Sequence, residues 1–129
     1  MMQNKLTLSI LEGRFGICRL DKNSEIPSWT QGSNFVSITR TPEELSVVCQ
    51  ENSIPTDIRA ERHWNCLKIE GPLDFGLTGI LSGLSRVLAD CGVGIFVVST
   101  YDTDYILVRE KDLKAAVKAL FDAGYSFLK

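Results

Sequence analysis

Two apolar helical stripes, each set between alternating runs, constrain the second half of this chain more than any other feature. Between residues 75 and 91 the apolar positions are Leu77, Ile80, Leu81, Leu84, Val87, Leu88 and Cys91. Steps of three and four put them on one helical face, with Asp74 placed as N-cap and Gly92 as C-cap. Gly79 and Gly83 fall inside that helix, where each costs about 1 kcal/mol against alanine; close packing on a sheet is the expected reason. Residues 112–123 carry Leu113, Ala116, Val117, Leu120 and Phe121 on one face and end at Gly124. Around the stripes, WNCLKIE (64–70) alternates as a strand, and IFVVST (95–100) reads as a buried one. Tyr101-Asp102-Thr103 is a polar turn, 104–109 returns as a strand, and 125–128 is a short last strand. The order strand, helix, strand, strand, helix, strand predicts a split βαβ, ferredoxin-like unit.

The first half holds strands and little helix. Leu6, Leu8 and Ile10 alternate with Thr7 and Ser9, residues 14–20 form another strand, and 21–34 carry turn formers with no helical stripe. Residues 35–39 and 45–49 flank a turn containing Pro42 and predict a second hairpin. FVSITRTPEELSVV and IFVVSTYDTDYILV share one plan of strand, polar turn, acid and strand, which suggests a degenerate internal duplication. The expected architecture is α+β: two tandem ferredoxin-like (βαββαβ) units, the first degenerate and helix-poor, divided as 1–60 and 61–129.

Composition excludes several classes of function. The 129 residues carry 14 Lys+Arg against 16 Asp+Glu, a net charge of −2, so no basic stripe favours nucleic acid. No apolar run approaches the ~20 residues of a bilayer-spanning helix, and MMQNKLTLSILEG is not read as a signal peptide. A cytoplasmic protein without membrane or nucleic-acid partners is the expectation. The four cysteines, Cys18, Cys49, Cys66 and Cys91, are widely spaced with no CxxC. They read as free, buried thiols, Cys91 closing the first stripe.

Catalytic chemistry is hard to assemble from these residues. The one histidine, His63, lies three residues from Cys66 at the mouth of a strand, where an odd separation points the two side chains to opposite faces. One histidine and scattered cysteines do not make a metal site, and the glycines at 71, 76 and 79 follow no nucleotide-loop order. Neither metal nor cofactor is expected. Asp74, Asp102 and Asp104 lie in two loops without a partnered nucleophile. Binding a cationic group suits them better than acid–base catalysis, and a helix N-terminus near Gly76 suits a ligand carboxylate.

EGPLDFGLTGIL (70–81) and FVVSTYDTDYILVREKDL (96–113), with FVSITRTPEELSVVC (35–49) in support, resemble the ACT-domain family of small-molecule regulatory modules. The nearer likeness is to small tandem-ACT proteins related to the cytosolic arginine sensors and to aspartokinase regulatory regions. The resemblance implies an amino-acid-binding module that is not an enzyme, with the ligand between ACT units. It implies contacts from Asp74, Gly76 and Leu77 at the first helix start, Thr100, Tyr101 and Asp104 at the hairpin, and Gly94 and Ile95 at the facing strand start. Asp74 stands where the sensors' arginine-binding lobe has a longer acid, and Gly94 where they carry a hydroxyl. The implied ligand is therefore an amino acid, not arginine in particular. The sensors are about twice as long, so a homodimer would supply the missing units. The alternative reading is a ligand-free interaction module that retains the fold.

Overall fold

The structure, a computed structural model, describes residues 6–71 and 79–128. Its strands are β1 (Thr7–Ile10), β2 (Phe15–Leu20), β3 (Ser37–Arg40), β4 (Leu45–Gln50), β5 (Ala60–Ile69), β6 (Ile95–Ser99), β7 (Asp104–Arg109) and β8 (Ser126–Phe127). The helices are α1 (Ile80–Asp90) and α2 (Leu113–Asp122). The fold is α+β; α2 and both hairpins lie where the apolar spacing predicts them, and α1 lies within the predicted stripe but begins at Ile80.

The described residues form two compact units. Residues 6–12 and 65–128 make one unit and Gly13–Trp64 the other, with the boundary inside β5. The first unit's sheet runs β6-β7-β5-β1-β8. β1 lies antiparallel to β5 and parallel to β8, with Leu8 in register with both Ile69 and Phe127. A lone βαββαβ unit would set its last strand beside its first; here the N-terminal strand occupies that place. Leu8, Leu67, Ile69, Ile106 and Val108 from the sheet pack on Leu84 and Leu88 of α1 and Ala116 and Leu120 of α2. All nine are fully buried, and full burial of a large aliphatic side chain contributes about 1.5–3 kcal/mol.

The helix ends follow from backbone chemistry. α1 starts at Ile80, with Gly79 as its cap in the left-handed region (φ 78°) and Gly79 O accepting from Gly83 N at 2.9 Å. Gly79 is thus a cap and not an interior residue, and the cap expected at Asp74, outside the described residues, is filled further on. Gly83 is exposed, and a methyl there would meet only Tyr125 Oη at 3.7 Å, so sheet packing does not account for it. At the C-terminal end Gly92 N donates to Ala89 O and Val93 N to Leu88 O, a Schellman closure with Gly92 at φ 79°. Gly124 and Tyr125 close α2 with the same pair of bonds, to Phe121 O and Leu120 O.

The Gly13–Trp64 unit is an antiparallel sheet in the order β3-β4-β2, with the first part of β5 beside β2. Cys18, Leu45, Val47, Cys49 and Ile54 form its core, with Leu20, Trp29 and Val36 against them. Among the described residues this unit has no α-helix, only single 3-10 turns at Ser28–Gly32 and Glu51–Ser53. The absence of a helical stripe in residues 21–34 accounts for that.

All four cysteines are free thiols. Cys18, Cys49 and Cys66 are buried; Cys91 is exposed, because the stripe ends at Leu88 and Cys91 is the residue on which α1 terminates. Burial pushes the Cys66 thiol up to about 12. A hydrogen bond between Cys49 and Cys18 raises the former and lowers the latter.

Candidate ligand site at the β6–β7 turn

The site begins with a hairpin turn closed by hydroxyls. Ser99 pairs with Asp104 as the last rung of β6 and β7. Beyond it Thr100 N and Thr100 Oγ1 both donate to Thr103 O, at 2.9 and 3.1 Å, and Thr103 N donates back to Thr100 Oγ1 at 3.4 Å. Thr103, only 4% exposed, turns its hydroxyl to Ile69 O at 2.6 Å. That bond holds the turn against the end of β5, just before residues 72–78.

Three of the expected ligand residues therefore share one end of the unit. Tyr101 is 82% exposed at the tip. Thr100 is spent on the turn. Asp104, half-buried at the start of β7, has a carboxylate that no side chain among the described residues engages. This corner sets an acid beside an exposed aromatic side chain. Asp74, Gly76 and Leu77 fall within 72–78, outside the described residues. Gly94 and Ile95 sit at the opposite end of β6. Five strand residues at about 3.3 Å each separate the two groups by about 17 Å, so one chain does not present both to one small ligand.

Thr103 is the residue that sequence reading places only in a polar turn. Its signal is a threonine flanked by two aspartates at the entry to an apolar strand; its burial is visible only in three dimensions. His63 Nδ1 faces Glu51 Oε1 at 3.2 Å, while the buried Cys66 thiol lies at 3.9 Å from Leu67 O. No group of three metal-ligating side chains gathers among the described residues, and none of their helices is long and apolar enough to cross a membrane.

Known proteins match this architecture. The ACT domain family model matches residues 59–122, and a second model, of an N-terminal domain, matches 13–57. Over 97 residues the chain is 33% identical to the protein named cytosolic arginine sensor for mTORC1 subunit 1 of Bos taurus, a match covering 67% of this chain and 30% of the sensor. The chain thus spans less than a third of that relative. The crystal structure of a protein from Agobacterium tumefaciens is 46% identical and superposes with a TM-score of 0.91, covering 98% of this chain and 94% of the other. The ligand-free regulatory subunit of aspartate kinase from Thermus thermophilus gives a TM-score of 0.60 at 10% identity, covering 91% and 97%, a likeness of fold alone.

Proposed function

The chain belongs to the ACT-domain family, and from that premise we propose that it is a regulatory module that binds an amino acid and has no catalytic activity of its own. The observation that carries this reading is the β6–β7 turn, fastened by Thr103 to the end of β5, beside an Asp104 carboxylate that no described side chain engages. The matched arginine sensor, by its name, is a cytosolic amino-acid sensor, and a cytosolic setting is the corresponding reading for this chain. In the proposed complex the ligand's ammonium meets Asp104, with Asp74 as its companion, and its carboxylate meets the amides near Gly76 and Leu77. Thr100 and Tyr101 border the pocket.

The working form is a homodimer. β6 pairs only β7 among the described strands, so its other edge is open to a second copy. Two-fold antiparallel pairing of β6 with β6 would carry the Gly94 and Ile95 of one copy to the hairpin end of the other. It would thereby unite the two groups of site residues that a single chain holds apart.

Calorimetric titration with each of the twenty amino acids tests the reading. One or a few should bind saturably. Truncating one partner of a charge pair costs on the order of 2–5 kcal/mol, so Asp104→Ala should weaken that ligand at least ~30-fold with the fold intact. Light scattering should give twice the chain mass. No binding across the panel would leave the ligand-free interaction module as the reading, and unchanged affinity in the mutant would move the site.

A further inference from the structure

The Gly13–Trp64 unit has a cleft of its own. It encloses about 360 Å³, at the lower end of the range for small-molecule pockets. Its polar lining is Arg14, Gln50, Glu51, Asn52, Thr56 and Arg62. β4 ends at Gln50 and passes into the Glu51–Ser53 turn, which Glu51 N ties to Arg14 O at 2.8 Å. β5 forms the facing wall, at a point where its register with β2 shifts between Phe15 and Ile17.

The charges in this cleft do not balance locally. The Glu51 carboxylate accepts the His63 backbone N–H at 2.7 Å and lies 3.4 Å from Arg14 Nη2. That use of Glu51 fixes His63 at φ 68°, the one positive φ outside glycine among the described residues, and the strained bulge sets Arg62 on the cleft wall. Arg62 directs Nη2 to the carbonyls of Pro55 and Ile58 at 2.8 and 3.4 Å. Among the described residues no acceptor takes its Nε or Nη1. Arg62 thus carries a positive charge held in place by neutral carbonyls, half-buried, where a charge is worth more than in bulk water. Gln50 adds a directed donor: its Oε1 is occupied by Asn34 N at 3.1 Å, which leaves the amide NH₂ for the cleft.

We propose that this cleft is a second small-molecule site, separate from the amino-acid site, that takes a small molecule carrying a carboxylate or phosphate oxyanion, with Arg62 and the Gln50 amide as donors to it. The volume admits a molecule of a few carbon atoms. Charge-assisted bonds to a guanidinium suit either oxyanion.

The test is a titration of the full-length ¹⁵N-labelled protein with sodium phosphate and, separately, with disodium succinate, each against sodium chloride at matched ionic strength. Backbone shifts at Gln50, Glu51 and Asn52 and the Arg62 Nε–H resonance should saturate with one or both probes and not with chloride. Saturation by phosphate alone assigns a phosphate ligand, and by succinate alone a carboxylate. Arg62→Gln should weaken the probe at least tenfold. Thr56→Trp should do the same by filling the cleft, and it leaves every charge and hydrogen bond named here in place, so it carries the test if Arg62→Gln fails to fold. Both variants should keep the wild-type response to the amino-acid panel, which separates this site from the one at the β6–β7 turn. Shifts indistinguishable from chloride, or wild-type affinity in Thr56→Trp, would overturn the proposal.

Discussion

Replacing Thr103 by valine isolates one bond. Thr103 is 4% exposed and its hydroxyl reaches Ile69 O at 2.6 Å, from a turn to a strand end 34 residues away in sequence. Valine matches threonine in shape, so volume is kept and the hydroxyl is lost. A methyl then faces a carbonyl that loses its donor, and leaving a buried group short of a partner costs about 1–3 kcal/mol. Thr103→Ser keeps the hydroxyl and removes one methyl, about 0.8 kcal/mol. The expected order of stability is wild type, then serine, then valine, read from urea denaturation followed by tryptophan fluorescence and circular dichroism. The valine variant should melt several degrees lower. It should also bind the amino-acid ligand more weakly, because the tether sets where Asp104 stands relative to β5. A valine variant as stable as wild type, or more stable than the serine variant, would refute the reasoning.

Three further outcomes are expected. Gly83→Ala should raise the melting temperature by a few degrees, since it fills exposed helix with a better helix former and meets only Tyr125 Oη at contact distance; a lower melting temperature would show that close packing matters there. Alkylation of the native protein should label Cys91 rapidly and the three buried thiols slowly, with four labels after denaturation; fast labelling of two or more would contradict the burial. Burial raises Cys66 from 9.0 to about 12, so the folded chain holds that proton more tightly than the unfolded one. Its contribution is whole below pH 9 and is lost as pH rises toward 12, by at most about 1.4 kcal/mol per pH unit. Melting curves should fall between pH 8 and 10.5 and fall less in Cys66→Ala; parallel pH dependence in the two proteins would remove Cys66 as the cause.

The parts of this fold legible in sequence are those with a local cause. Leu84 and Leu88 are both fully buried because steps of four on a helix return to one face, which spacing alone reveals. The β6–β7 and β3–β4 hairpins are equally local. What sequence hides is pairing at long range: nothing in Leu6–Ile10 names β5 and β8 as partners, and the alternation would suit any half-buried strand. The start of α1 was misplaced because the apolar stripe runs on through Leu77 without marking where Gly79 takes its left-handed turn. In the candidate site, the polar turn that brings Thr100, Tyr101 and Asp104 to one end of the unit is local and readable from spacing. Their separation from Gly94 and Ile95 follows only from the length of β6, and the Arg62 cleft only from the bulge at His63.

The displaced first strand also bears on the ligand site. Glu70 N donates to Thr7 O at 2.9 Å, Ser9 Oγ donates to a Glu70 carboxylate oxygen, and Leu8 stands in register with Ile69. Thr103 donates to the Ile69 carbonyl. The last residues of β5 are thus braced by β1 and by the β6–β7 turn, two elements brought from opposite directions along the chain. A site that must hold a small zwitterion benefits from supports whose own positions are fixed, because ordering them on binding would subtract from affinity. Within this unit the N-terminal strand therefore does more than cover a sheet edge. It also fixes the end of β5, the strand to which the Thr103 tether holds the turn carrying Asp104.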